Sequence, residues 1–160
     1  MIQLFTELQE KKNVRSNLSA LRASLKEATE EQKAQAIEFV RGHEDLVFGF
    51  LQEEDAKTRK NAALLLGDLA VQNALQPLWK VYTREQTLFV KSAYLEAMKA
   101  LHAEEILSQL KDRLAELEGE PVTEENRKHW EAELRALRAI LIQYEGIDTH
   151  HFDIKQKNNH

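Results

Sequence analysis

The chain contains no cysteine, which excludes disulfide staples, thiolate nucleophiles and cysteine-ligated zinc or iron–sulfur centres together. Prolines number two and glycines five in 160 residues, so few positions interrupt a helix. No apolar run approaches the roughly 20 residues that cross a bilayer. The opening Met1-Ile-Gln-Leu-Phe-Thr-Glu-Leu8 has neither a basic segment nor a sustained apolar one, so no secretory signal is read there. The expectation is a cytoplasmic protein that does not enter a membrane. A basic excess is missing too. The formal net charge is −5, whereas domains held to nucleic acid by general attraction carry a large positive surplus. The Ser-His-Asp signature, the Gly-rich phosphate loop, the dinucleotide fingerprint and the paired-histidine zinc motif are likewise absent, and no catalytic residue, metal or cofactor is assigned.

What is abundant forms helices. Hydrophobic residues make up 42% and charged residues 31%, and Leu, Ala, Glu, Lys, Arg and Gln dominate, which predicts an all-α fold with short polar turns. Leu4, Phe5 and Leu8 mark a first helix over 2–11, and Val14, Leu18, Leu21 and Leu25 a second over 14–27. Thr29 caps a third, with Glu30 and Glu31 in its first turn, and Arg41-Gly42 stops it. Residues 43–52 are too densely apolar for a one-sided surface helix. Further helices are predicted over 57–69, 72–83 (with a bend at Pro77), 87–101, 103–118 and 124–144, the last capped by Thr123 and Asn126. Residues 146–160 lack a helical period and read as a polar tail or linker after a helical domain over 1–145.

One segment repeats. Asp55-Ala-Lys-Thr-Arg59-Lys-Asn-Ala62-Ala63-Leu-Leu65-Leu66-Gly67-Asp-Leu69 matches Val90-Lys91-Ser-Ala93-Tyr-Leu95-Glu-Ala97-Met98-Lys99-Ala-Leu101 at a shift of 32 positions, which sets Arg59 on Lys91, Leu66 on Met98 and Leu69 on Leu101. Self-similarity at that period marks stacked helical repeats. Asp55, Thr58-Arg59, Ala62-Ala63 and Leu66-Gly67-Asp68-Leu69, with Val90-Lys91 and Ala93 in the second copy, resemble a HEAT repeat. In the second copy Thr87 stands at the Asp55 position and Lys99 at the Gly67 position. The resemblance implies an α-α superhelix, a HEAT-like solenoid of about nine helices in which an N-terminal helix precedes four antiparallel A/B pairs.

In such a solenoid the B helices line the concave face, so charge divides by layer. The A segments 43–54 and 103–120 each carry −4, while the B segments carry +2 from Lys57, Arg59 and Lys60 against Asp68, and +1 from Lys91 and Lys99 against Glu96. The expected partner-binding residues are therefore Arg59, Lys60, Lys91, Lys99 and Arg135, which would hold an anionic segment by charge-assisted hydrogen bonds. Against this, Arg59 and Lys91 can equally brace the carbonyls and acids of the turns. His129, with Glu125 and Glu133 four residues either side, reads as a solvated helix-face cluster rather than a metal site, and His150-His151 with Asp148 and Asp153 as a weak chelating set in the tail. Trp79 and Trp130 read as packing residues rather than stacking platforms.

The functional expectation is a non-catalytic scaffold that binds a macromolecule along its concave face, a protein first and RNA second. The run from Arg59 through Gln86-Thr-Leu-Phe-Val-Lys-Ser-Ala-Tyr-Leu95 to Tyr144-Glu-Gly146 also resembles, more faintly, the N-terminal HEAT region of bacterial proteins that continue into an RNA methyltransferase-type domain. That likeness implies a module presenting RNA to the enzyme. The alternatives are a HEAT-like DNA glycosylase for alkylated bases, or a lyase- or chaperone-like repeat protein.

Overall fold

The computed structural model describes residues 1–145; the predicted tail over 146–160 and the His150-His151 set lie outside the described residues. The described residues form nine α-helices: α1 (Ile2–Gln9), α2 (Val14–Leu25), α3 (Glu30–Gly42), α4 (Glu44–Phe50), α5 (Ala56–Asp68), α6 (Leu75–Tyr82), α7 (Leu88–Ala100), α8 (Leu107–Glu118) and α9 (Arg127–Glu145). No strand occurs among them, and no helix is long and apolar enough to cross a membrane. Contacts divide the chain into two compact units, Met1–Leu101 and a second that begins at His102.

In the first unit, α5 packs on α2 and α7, while α4 lies against α5 and α6 against α7. Its core is Leu18, Leu21, Val47, Phe50, Leu65, Leu66, Leu78, Tyr82, Val90, Tyr94 and Met98, each almost wholly shielded. The helices α5 and α7 have the same length and are offset by 32 residues, which is also the offset between the starts of α6 and α8. The period seen in the sequence is thus the period of the elements. Thr58, Ala62, Ala63, Leu65 and Leu66 of α5 are buried, and at Gly67 the two helices approach closely: a Cβ there would stand 3.0 Å from the Ala97 Cα. A bare backbone at this position sets the approach.

The N-terminal pairing differs from the expected one. An A/B pair over 14–27 and 29–41 is predicted, but α2 packs on α1 and on α5, and α3 packs on α4. The reason lies in α2's own residues. Leu18, Leu21 and Leu25 supply its buried stripe, and Arg15 and Arg22 reach Asp55 at 3.4 Å and Asp68 at 2.8 Å, both on or capping α5. The short α1, packed on α2, is also tied to α3 through a stack of Phe5 on Phe39 and of Phe39 on His43, each with 4.5 Å between centroids. His43 also joins α3 to α4. Its Nδ1 donates to the Phe39 carbonyl at 2.8 Å, and its Nε2 is 2.7 Å from the Gln9 amide.

Local chemistry sets the ends. Thr29 and Gln32 form the reciprocal capping box at the start of α3. Asp55 caps α5 by accepting from the Thr58 N–H at 3.0 Å and the Thr58 hydroxyl at 2.8 Å. After α5, Ala70 takes φ 52°, and the bonds Ala70 N–H to Gly67 O and Val71 N–H to Leu66 O close the helix as a glycine would. The predicted bend at Pro77 is replaced by a break before it. Residues Gln72–Ala74 form a 3-10 turn and α6 begins at Leu75, which leaves Pro77 in a first turn where its missing N–H has no helical partner to lose. A second 3-10 turn, Ala103–Ile106, precedes α8 at the equivalent place.

The second unit is a helical hairpin of α8 and α9, with Leu110, Leu117, Leu137, Ile140 and Leu141 buried. Trp130 Nε1 donates to the Leu117 carbonyl at 2.6 Å, and the Tyr144 hydroxyl accepts from Ala103 N–H at 2.9 Å. The expected solvated cluster at His129 is corrected here. α9 starts at Arg127, so Glu125 falls in the preceding turn, and Glu133 is buried and bound by Arg113 of α8 at 2.8 and 3.1 Å. An arginine on a neighbouring helix captures the carboxylate that helical spacing assigns to solvent.

Candidate partner-binding surface

The five predicted residues fall into three groups. Arg59 is half-buried and committed inside the first unit. Its Nε and Nη2 grip Glu85 at 2.9 and 3.0 Å, and Nη1 donates to the Glu53 and Glu54 carbonyls, both at 2.8 Å. Four of the five guanidinium donors are thereby engaged. Lys91, its repeat equivalent, places Nζ 5.4 Å from the centre of the Tyr82 ring, so it too lies toward the A-helix side. Arg135 is exposed on α9, in the second unit, beside Leu134, Arg138 and Ile142. Lys60 is half-buried and Lys99 exposed, and neither forms an ion pair among the described residues.

The Arg59 network is a site that residue matching misses. Aligning Asp55 with Thr87 suggests that the second turn has no acid, yet Glu85, two residues earlier, fills that role. Its carboxylate accepts from Arg59, from the Thr87 N–H at 3.2 Å and from the Tyr94 hydroxyl at 3.0 Å. The signal available in the sequence is an acid just ahead of the Thr87 N-cap. Burial opposes ionisation of Glu85, but the Arg59 hydrogen bonds, aided by Thr87 and Tyr94, outweigh it and hold its pKa below the usual glutamate value. The same pairing raises Arg59, while burial first and the Glu85 charge second push the Tyr94 hydroxyl up. At Asp55 the Thr58 hydroxyl is the main cause of a lowered pKa. Arg59, Glu85, Thr87 and Tyr94 line a depression of about 440 Å³ between the turns at 51–54 and 84–87. Its floor is a closed salt bridge, with side chains 16% and 7% exposed for Arg59 and Glu85, and its donors face one another rather than an incoming ligand.

A different surface is open. Gly67 beside Ala97 near the C-terminal ends of both helices, and Arg59 against Glu85 near their N-terminal ends, fix α5 and α7 as parallel neighbours. On α5, Lys57, Lys60, Leu64 and Asp68 recur at helical spacing, and on α7 Phe89, Ser92, Glu96 and Lys99 do the same; all eight are exposed or half-buried. Phe89 is 47% exposed, the largest aromatic so presented. By the Gly67–Ala97 register it lies level with Arg59, within one residue of Lys60, and Lys99 lies roughly 15 Å farther along the axes. Asp68 is held by Arg22, which leaves Glu96 as the acid of the strip without an ion pair among the described residues.

No group of three His, Asp or Glu side chains suited to a metal ion occurs among the described residues. Trp79 packs against Tyr82 with 5.3 Å between centroids, and Trp130 is tied to Leu117. Comparison with protein-family models, with curated proteins and with solved structures finds no match to this chain.

Proposed function

We propose that this protein is a non-catalytic, HEAT-like α-solenoid module that binds a macromolecular partner, a protein in the first instance, along the open face of α5 and α7. The observation that carries the reading is the repetition of one helix. Two segments of equal length, 32 residues apart, lie parallel with their small residues at the seam and a shared outer face. Stacking of this kind produces a long, shallow surface suited to a chain rather than an enclosed pocket suited to a small substrate. Within that face Lys60 and Lys99 are the predicted cations left open to a partner, while Arg59 and Lys91 hold the repeats.

Site-directed photocrosslinking tests the reading. A benzophenone amino acid replacing Lys60 or Ser92 is expected to give discrete adducts in extracts of the source cells, while the same probe at exposed Gln76 on α6 does not. Equal labelling at Gln76, or no adduct from the α5 and α7 positions, sinks the proposal. Nuclease treatment of the adducts separates a protein from an RNA partner.

A further inference from the structure

Resting on the interaction-module reading, we infer that the occupant of the α5–α7 face is an acidic, amphipathic protein segment of about three helical turns. The charge pattern selects it. Lys57 and Lys60 stand at one end of the strip and Lys99 at the other, and the acids on or capping α5, Asp55 and Asp68, are paired with Arg15 and Arg22 from α2. The arginines of α2 thus neutralise the acids of α5 and leave its lysines in excess. From Lys57 to Lys99 the face runs roughly 18 Å along the axes, the length of about 12 helical residues.

Apolar side chains lie at the basic end and at the middle of the strip. Phe89, 47% exposed, stands beside Lys57 and Lys60, and half-buried Leu64 lies about halfway to Lys99, an arrangement matched by a segment whose apolar residues fall between acids at its two ends. An exposed phenylalanine beside lysines also gives contact area at little entropic cost. Glu96 sits between these ends and repels an acid placed opposite it, so it fixes where along the segment the negative charges stand. Nucleic acid fits less well. Its phosphates repeat without a gap, Glu96 opposes them, three lysines are few, and neither tryptophan belongs to α5 or α7.

The test is fluorescence anisotropy on the full chain with three labelled probes: a Glu/Leu amphipathic helical peptide, a Lys/Leu peptide of the same length, and oligouridylate. Saturable binding of the Glu/Leu peptide alone is expected. It weakens roughly fivefold in Lys60→Glu and in Lys99→Glu, roughly tenfold in Phe89→Ala, and is unchanged in Lys80→Glu at an exposed position of α6. Glu96→Lys is expected to tighten binding roughly fivefold, a gain that a misfolded variant cannot give. Three results overturn the inference: no saturable binding of the Glu/Leu peptide, equal binding of the Lys/Leu peptide, or oligouridylate bound with the same dependence on Lys60 and Lys99. A doubled mass in sedimentation velocity that Phe89→Ala abolishes would assign the face to a second copy and overturn it as well. In each of these cases adducts at residues 60 and 92 still uphold the module, whereas their absence removes the module itself.

Discussion

At the scale of the residue, Glu85 joins Arg59 of α5 to Tyr94 of α7. A carboxylate 7% exposed, with a bidentate arginine, a backbone N–H and a tyrosine hydroxyl as donors, has its four interactions from three different segments. Replacing it by glutamine leaves Arg59 in the same site without its counter-charge, and breaking one partner of a shielded pair costs more than the pair itself contributes. Glu85→Gln is expected to lower stability by about 2–4 kcal/mol, read from urea midpoints at pH 7. The pH dependence follows from the depressed pKa. The unfolded glutamate titrates near the ordinary value of about 4.3, and the folded one below it, so the stabilisation is complete above the ordinary value and is lost as pH falls through the folded one. The parent chain should therefore lose stability more steeply than Glu85→Gln between about pH 5 and pH 3. Parallel slopes for the two proteins would remove the ion pair from the account. The pair was half legible: Arg59 stood out by repeat position, but its acid lies two residues off the aligned position and its tyrosine nine residues farther on.

At the scale of the element, the helices were largely written in the spacing of leucines and alanines. α5 and α7 fall within a residue or so of the predicted 57–69 and 87–101, because caps at Asp55 and Thr87 and apolar periodicity agree. Less legible were the 3-10 turns ahead of α6 and α8, which carry the same residues a helix start would, and the late start of α9, where Glu124 and Glu125 follow the Thr123 turn instead of opening the helix. The partner of α2 was not legible at all, since an apolar stripe says that a helix packs and not on what. Gly67 gives the element-level prediction. Its virtual Cβ meets a backbone atom of α7, which cannot rotate away, so Gly67→Val forces α5 and α7 apart and is expected to cost about 2–4 kcal/mol despite the loss of a helix glycine. The position 32 residues later, Lys99, is exposed, so Lys99→Val should change the melting temperature by less than a fifth as much. Thermal melts of the two variants decide the matter, and equal losses would mean that the seam does not run through Gly67.

At the scale of the whole molecule, charge restricts function more than any single motif does. The chain carries −5 overall, and its half-buried cations are engaged across helices: Arg22, Arg59 and Arg113 each hold an acid, and Lys91 lies over Tyr82. Composition made the sign of the total readable, but which lysines remain open depends on pairings across helices that the sequence does not order. The face of α5 and α7 presents three, Lys57, Lys60 and Lys99, and a polyanion bound there can displace counterions in proportion to those three and no more. Duplex DNA is therefore expected to show no retention by this protein at about 150 mM salt. Any binding at about 20 mM should fall with a log–log slope no steeper than about −3, since each phosphate neutralised contributes about −0.9. Anisotropy titrations across that salt range measure the slope directly. A value near −6 would require twice the cations this face holds, and would move nucleic-acid recognition to a surface that includes Arg135 and its neighbours on α9.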